Sequence, residues 1–168
     1  KRFRAAYFAP ASGLNPETQR LYAANRLTVT RQLRYSPAHG NTLDLVLSLN
    51  GIPVVTAELK NPMTGQTWRN AVRQYQHDRD PNDLIFQFKK RTLVHFAVDP
   101  DEVHMTTRLM RDSTFFLPFN LGHGGGSGNP DNPRGYKTSY LWEQVLTRES
   151  FLDILARFIH LEIEEKRV

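Results

Sequence analysis

The amino-acid sequence predicts an α/β domain in which a mixed β-sheet is flanked by helices. Residues 43–60 show the period-two alternation of two strands joined by a turn. Residues 67–79 carry apolar side chains at helical spacing. Residues 92–98 form a nearly continuous apolar run, which is typical of a strand buried on both faces. We therefore expect a sheet of about five strands that includes the hairpin, a helix after it and further strands to residue 109.

Length and composition indicate a globular chain. Of its 168 residues, 39% are hydrophobic and 11% aromatic, which suits a packed core rather than disorder. The first residue is not Met, so we expect residues 1–168 to be a single domain from a larger protein. No apolar run approaches the roughly 20 residues of a membrane helix. The lack of cysteine excludes disulfides and thiolate metal sites, and it favours a cytoplasmic location.

The formal net charge of +5 suits a polyanionic partner, although a modestly basic soluble protein explains it equally well. Near the N-terminus, Asn15-Pro16-Glu17 favours a helix that ends at about Ala24, because Pro fits the first helical turn. Glu17 either supplies an acid to a site beside the sheet or simply stabilises the helix N-terminus, and we favour the second interpretation. Residues 26–35 alternate and predict a strand.

The register of the 43–60 hairpin decides which charged side chains meet. A tight turn at Asn50-Gly51 would leave Asp44 and Glu58 on opposite faces. A shift of one residue, through a three-residue loop or a bulge at Gly51, pairs the two acids. Lys60 lies two residues after Glu58 and therefore shares its face. We predict the shifted register, which gathers both carboxylates and the lysine.

Two adjacent carboxylates repel each other, and a hard divalent cation such as Mg²⁺ relieves the repulsion by taking oxygen ligands from both. Asp44 and Glu58 are therefore candidate metal ligands, and the Leu59 carbonyl could add a third oxygen. Mg²⁺ keeps several waters and would hold one near a phosphate. Lys60 would orient or deprotonate that water, or stabilise charge on phosphorus.

The helix predicted from Thr67 to about Arg79 has an apolar stripe at Trp68, Ala71, Val72 and Tyr75. Core packing is the favoured interpretation of its two large aromatic residues. Arg73 and Gln74 flank this stripe and could face an active site or a nucleic acid. We expect the charges of Asp78-Arg79-Asp80, at the end of the helix, to be solvated or paired.

Later segments offer weaker signals. The cluster Lys89-Lys90-Arg91 could bind backbone phosphates, or it could be an ordinary exposed turn. His95, inside the buried strand, is expected to be a core histidine, and residues 102–109 predict another strand. The glycine-rich segment 122–135 is not a P-loop, and we interpret it as a mobile surface connection or a docking site for a neighbouring domain. Residues 150–165 predict an amphipathic helix with six apolar side chains turned inward, namely Phe151, Ile154, Leu155, Phe158, Ile159 and Leu161 or Ile163.

The spacing of Asp44 and Glu58-Leu59-Lys60 resembles the PD-(D/E)xK nuclease motif. Longer segments resemble the nuclease domain of the restriction (motor) subunit of type I restriction–modification enzymes, and the resemblance covers nearly the whole chain. These segments are NTLDLVLSLNGIPVVTAELKNP, QYQHDRDP, YAANRLTVTRQLRYS, LVHFAVDPDEVHMTTRL, FLPFN, GNPDNPRGYKTSYLWE and FLDILARFIHL.

This resemblance implies a restriction-endonuclease-like core and an Mg²⁺-dependent DNA endonuclease without its own sequence specificity. The implied catalytic residues are Asp44, Glu58, Lys60 and Gln74, and the implied metal ligands are Asp44, Glu58 and the Leu59 carbonyl. Related nucleases often carry Gln-x-x-x-Tyr on the helix after the hairpin. Gln74 matches its first position, but Asp78 stands where the tyrosine is expected.

The resemblance further implies double-stranded DNA as a partner, together with modification and specificity subunits that act through the full-length protein. ATP would serve a translocase outside this chain, which has no Walker motif. Helical material before Lys1, carrying a further acid, is also implied. Two alternatives stay open. One is a non-catalytic DNA-binding or docking module with a nuclease fold, and the other is a stand-alone repair nuclease.

Overall fold

The computed structural model describes residues 5–10 and 12–158. The described residues before Arg26 and those from Tyr140 onward form one compact unit, and Arg26–Ser139 form a second. The expectation of one domain over residues 1–168 stays a prediction. None of the helices in the described ranges combines the length and apolar character that crossing a bilayer requires.

The second unit is built on a six-stranded mixed sheet in the order β1-β2-β3-β4-β5-β6. The strands are β1 Leu27–Arg34, β2 Thr42–Leu49, β3 Ile52–Leu59, β4 Val94–Val98, β5 Val103–Thr106 and β6 Leu117–Pro118. All neighbouring strands are antiparallel except β3 and β4. The predicted α/β class is confirmed, and β6 is one strand more than the sequence led us to expect.

Parallel β3 and β4 are linked through a short 3-10 turn, Pro62–Thr64, and helix α2, Trp68–His77. Parallel neighbours require such a crossover, because the chain must return to the same end of the sheet. Thr67 caps α2 in the predicted position, and the helix packs on β4 and β3. The crossover therefore places α2 directly after the Glu58–Lys60 segment.

The β2/β3 hairpin combines a tight turn with a bulge. Asn50 (φ 51°) and Gly51 (φ 84°) both adopt positive φ, as a two-residue turn of type I′ requires. Leu49 pairs with Ile52 next to this turn. The register then shifts between Leu47 and Ser48, which leaves Val54 without a partner in the ladder. The sequence anticipated the shift but placed the bulge at Gly51.

One face of the sheet packs against α2 and the segment that follows it. The core cluster there comprises Leu43, Val46, Ala71, Tyr75, Ile85, Phe86, Ala97, Leu109 and Phe116. Ala71 and Tyr75 belong to the predicted stripe of α2 and are fully buried. Burial of the apolar side chains stabilises the sheet by roughly 1.5–3 kcal/mol for each large residue.

The first unit contains helices α1, Pro16–Ala23, and α3, Arg148–Arg157, preceded by a π-helical turn at Leu141–Val145. Asn15 caps α1 through its side-chain oxygen. In α3, Phe151 is buried as predicted, but Phe158 is 71% exposed and Leu152 is buried instead. Phe158 directly follows the last helical residue, so helical spacing no longer sets its direction. Residues 159–165 of the predicted helix lie outside the described residues.

Candidate active site

The hairpin bulge brings two carboxylates together. Leu45 lies opposite Ala57, so the next pair in the same register is Asp44 and Glu58. Adjacent side chains of an antiparallel pair lie on one face of the sheet. The predicted register is therefore confirmed at the position that matters for the site.

Asp44 is half-buried and its carboxylate accepts a hydrogen bond at each oxygen. The backbone N–H of Leu59 donates to Oδ2 at 2.8 Å, and the side-chain Nε2 of Gln32 donates to Oδ1 at 2.9 Å. The bond from Leu59 ties the side chain of β2 to the end of β3. Each carboxylate oxygen has two lone pairs, so both can still bind a further partner.

Glu58 is fully buried, and its two oxygens have different surroundings. Oε1 accepts from Arg79 Nε at 2.8 Å and from Arg79 Nη2 at 2.6 Å. Oε2 is buried without a hydrogen-bond partner among the described residues. The pKa of Glu58 is raised to about 7, mainly because burial removes water from around the carboxylate. The positive charge of Arg79 opposes this increase, whereas the negative charge of nearby Asp44 adds to it.

Arg79 and Gln32 are site residues that the sequence did not reveal. The Nη2 of Arg79 also donates to the Thr42 carbonyl at 2.9 Å, and its guanidinium carbon lies 5.7 Å from the centre of the Tyr35 ring. The residue follows α2, where helical periodicity has ended, so no pattern predicts its direction. A buried acid requires a cationic partner, however. The charges of Asp78-Arg79-Asp80 were expected to be solvated or paired, and Arg79 is the only basic residue among these three.

Lys60 and Gln74 meet at the end of β3, on a cleft along α2. Lys60 Nζ donates to Gln74 Oε1 at 2.5 Å, while the Lys60 backbone N–H donates to the Val98 carbonyl at 2.8 Å. A polar cleft of about 250 Å³ opens here, lined by Lys60, Gln66, Asn70, Arg73, Gln74, His77 and Asp78. The structure thus places the predicted Gln74 and Arg73 on the same cleft as Lys60.

Tyr75 points away from this cleft and into the core. Its hydroxyl lies 2.8 Å from that of Thr56, which lies 2.8 Å from His95 Nδ1. Burial raises the pKa of Tyr75 well above its usual range and lowers the pKa of His95 to about 3. Both side chains therefore remain uncharged, and the expectation that His95 is a core histidine is confirmed.

The Lys89-Lys90-Arg91 cluster is exposed but lies at the other end of the strands. Leu93, which follows it, donates its N–H to the Val54 carbonyl near the hairpin turn. Val54 and Glu58 are four residues apart on β3, roughly 13 Å at the usual strand rise. The structure does not bring this cluster to the two acids, and its binding to DNA stays a prediction.

A family model described as "Type I restriction enzyme R protein N terminus (HSDR_N)" matches residues 13–114, which is more than half of the chain. The chain belongs to this family. The matched region of this R protein N-terminus contains all the candidate site residues named above. A search of curated proteins found no match. A search of solved structures also found none.

The R protein N-terminus presents a donor set that suits Mg²⁺. Mg²⁺ is usually held by one or two carboxylates and keeps several waters, which is the kind of ligand set that Asp44 and Glu58 offer. The buried Oε2 of Glu58 lacks the partner that a cation would supply. Within the described ranges, no group of three or more His, Cys, Asp or Glu side chains is arranged to hold a metal. The contribution of the Leu59 carbonyl stays a prediction.

Proposed function

We propose that this R protein N-terminus is a metal-dependent DNA endonuclease with a PD-(D/E)xK-type site, which hydrolyses phosphodiester bonds without sequence specificity of its own. One observation carries the proposal. The pairing of Asp44 with Glu58 leaves a buried carboxylate oxygen without a hydrogen-bond partner, two residues before Lys60 at the end of β3. A buried carboxylate oxygen without a hydrogen-bond partner is costly, and a cation shared with Asp44 would supply that partner.

Asp44 and Glu58 would hold the metal ion, which when bound would lower the pKa of a coordinated water and polarise the phosphate. Lys60 would direct its ammonium group at the phosphate oxygens and stabilise the charge that develops there. Gln74 accepts one of the three ammonium hydrogens and so fixes the direction of the other two. Leu59 holds Asp44 in place through its backbone N–H.

The cleft beside Lys60 supports DNA as the substrate. Arg73 and His77 are exposed on α2 four residues apart, on the same face of the helix, and both line this cleft. Arg73 would bind a backbone phosphate next to the scissile one. Contacts to backbone phosphates do not distinguish one base sequence from another. They therefore agree with a nuclease whose target site is selected elsewhere in the enzyme.

Membership of the R protein family also bears on partners. We propose that the full-length subunit works with modification and specificity subunits and with an ATP-driven translocase outside this chain. Double-stranded DNA would reach the nuclease site through that assembly, in the cytoplasm. ATP would not bind this chain, whose glycine-rich segment lacks a Walker motif.

A non-catalytic DNA-binding or docking module is the second candidate function, and one observation favours it. Arg79 forms a buried ion pair with Glu58, so the acid has a partner even without metal. A module that had lost catalysis could keep this pair for its structure alone. It would then bind DNA but not bind a divalent cation at Asp44.

Calorimetric titration with Mg²⁺ or Mn²⁺ and a plasmid-cleavage assay separate the two functions. We expect Asp44→Ala to abolish metal binding and cleavage, and Lys60→Ala to abolish cleavage while metal binding and DNA affinity persist. Asp131→Ala is the matched control, because this acid is 91% exposed. Undiminished cleavage by the Asp44 or Lys60 variant would refute the nuclease proposal. DNA binding without any Asp44-dependent metal binding would establish the docking module instead.

A further inference from the structure

Gln32 interrupts an otherwise regular strand pair directly opposite Asp44. β1 and β2 pair residue by residue from Leu27 and Leu49 to Arg34 and Thr42, and the ladder skips only Gln32. The backbone of Gln32 has φ 49°, in the left-handed region. A long side chain rarely adopts this conformation, because its Cβ crowds the neighbouring backbone. Strain of this kind persists where surrounding contacts hold it in place.

The side-chain amide of Gln32 is held at both ends. Its Nε2 donates to Asp44 Oδ1 at 2.9 Å, and its Oε1 accepts from the Thr42 hydroxyl at 2.9 Å. The ionised carboxylate of Asp44 can only accept, so the NH₂ end of the amide faces it, and the Thr42 hydroxyl donates to the remaining amide oxygen. The strained residue therefore presents a fixed donor to one oxygen of a candidate metal ligand.

We propose that Gln32 is a positioning residue that orients the Asp44 carboxylate for a divalent cation shared with Glu58. This inference rests on the proposed function. Gln32 holds Oδ1 while the Leu59 N–H holds Oδ2, so the plane of the carboxylate cannot rotate. Groups that hydrogen-bond to a metal ligand in this way typically change metal affinity or activity 10–100-fold when they are removed.

Stability alone does not explain this residue. Gln32 is exposed and adds nothing to the buried core. Glycine would adopt the same backbone conformation without strain and would leave the strand pairing unchanged. A glutamine at this position is instead explained by the two side-chain hydrogen bonds that glycine cannot make, the bond to Asp44 and the bond from Thr42 that holds the amide in place.

Two substitutions test the role. Gln32→Gly removes both the amide and the strain, whereas Gln32→Met keeps the side-chain length and the strain but removes the donor. Thr30→Ala, an exposed position two residues earlier on β1, is the matched control. Calorimetry with Mn²⁺, plasmid cleavage at a series of Mg²⁺ concentrations and thermal unfolding are measured for each variant.

We expect both Gln32 variants to bind metal about 10-fold more weakly and to require correspondingly more Mg²⁺ for cleavage. The Tm of Gln32→Gly should equal or exceed that of the wild type.

Unchanged metal affinity and Mg²⁺ dependence in both Gln32 variants, in a wild-type chain that shows Asp44-dependent binding, would overturn the positioning role and leave the nuclease proposal standing. A wild-type chain without Asp44-dependent metal binding would overturn both. A loss of metal affinity accompanied by a lowered Tm in both Gln32 variants would overturn the positioning role and assign Gln32 a structural role only.

Discussion

The buried ion pair of Glu58 and Arg79 allows a direct test of how the charge of Glu58 affects stability. Replacing Arg79 with Met removes the guanidinium and keeps an apolar chain of similar length. Two hydrogen bonds to Glu58 Oε1 and one to the Thr42 carbonyl disappear. Glu58 remains fully buried, so its charge would lose its compensation.

The cost of this change should depend on pH. Removing one partner of a buried ion pair typically costs 3–5 kcal/mol, because the remaining charge is left without compensation. The pKa of Glu58 is raised to about 7, so the carboxylate is largely charged at pH 8 and largely protonated at pH 5. In the variant, however, the pKa of Glu58 rises further, because Arg79 no longer lowers it, and the buried acid takes up a proton. At pH 8, one pH unit above the wild-type pKa, the charge-dependent loss is therefore limited to about 1.4 kcal/mol, and we expect a total loss of about 2.4 kcal/mol in the free energy of unfolding. At pH 5 the loss should be about 1 kcal/mol, from the lost bond to the Thr42 carbonyl.

Urea unfolding of the wild type and Arg79→Met at both pH values measures these two losses. Arg111→Met is the matched control, because Arg111 pairs with Asp80 in an ion pair that is about half exposed on both sides. Such exposed pairs contribute little, so this variant should lose well under 1 kcal/mol at either pH. Equal losses for Arg79→Met at pH 5 and pH 8 would refute the reasoning, since the effect would then not involve the charge of Glu58.

Three further predictions concern other parts of the molecule. Because the pKa of Glu58 is raised from 4.5 to about 7, the folded protein favours the protonated form of this acid. The resulting stabilisation is complete below pH 4.5 and is lost as the pH rises through about 7. The metal-free wild type should therefore lose roughly 3 kcal/mol between pH 4.5 and pH 8 in urea unfolding, and constant stability would contradict this. Thr56→Val should cost about 2–3 kcal/mol, because Tyr75 and His95 would each lose a buried hydrogen-bond partner. Thr28→Val, at an exposed position, is its control, and a similar small loss in both variants would argue against the buried network. If Lys89, Lys90 and Arg91 contact phosphates, replacing all three with Ala should lower the salt dependence of DNA affinity by about 2.7 in log–log slope and leave metal affinity unchanged. A slope equal to that of the wild type would remove this cluster from the DNA-binding surface.

Local periodicity was sufficient to predict most of the elements. The alternation in residues 43–49, the stripe of α2 and the apolar run of β4 each predicted the observed element, because side-chain direction in a helix or strand follows directly from spacing. The pairing of Asp44 with Glu58 was also predictable, since only a shifted register places both acids on one face.

Contacts between distant segments could not be predicted in the same way. Arg79 reaches Glu58 from 21 positions along the chain and after its helix has ended. The bond from Gln32 to Asp44 depends on a backbone conformation that nothing in the strand-like sequence of β1 indicates. The grouping of the two acids required one extra residue in the hairpin, and the structure has it at Val54 rather than at Gly51.

Because of that extra residue, the assembly of the site depends on the number of residues between the two acids. Across a two-residue turn, every even-numbered position faces an odd-numbered one, yet Asp44 and Glu58 are both even-numbered. The unpaired Val54 reverses this parity. A single insertion or deletion between the two acids would reverse it again and send one carboxylate to the opposite face, whereas a change of two residues at the hairpin tip would keep them together. Homologous hairpins are therefore expected to vary in length by even steps, or to gain or lose a bulge whenever they vary by one.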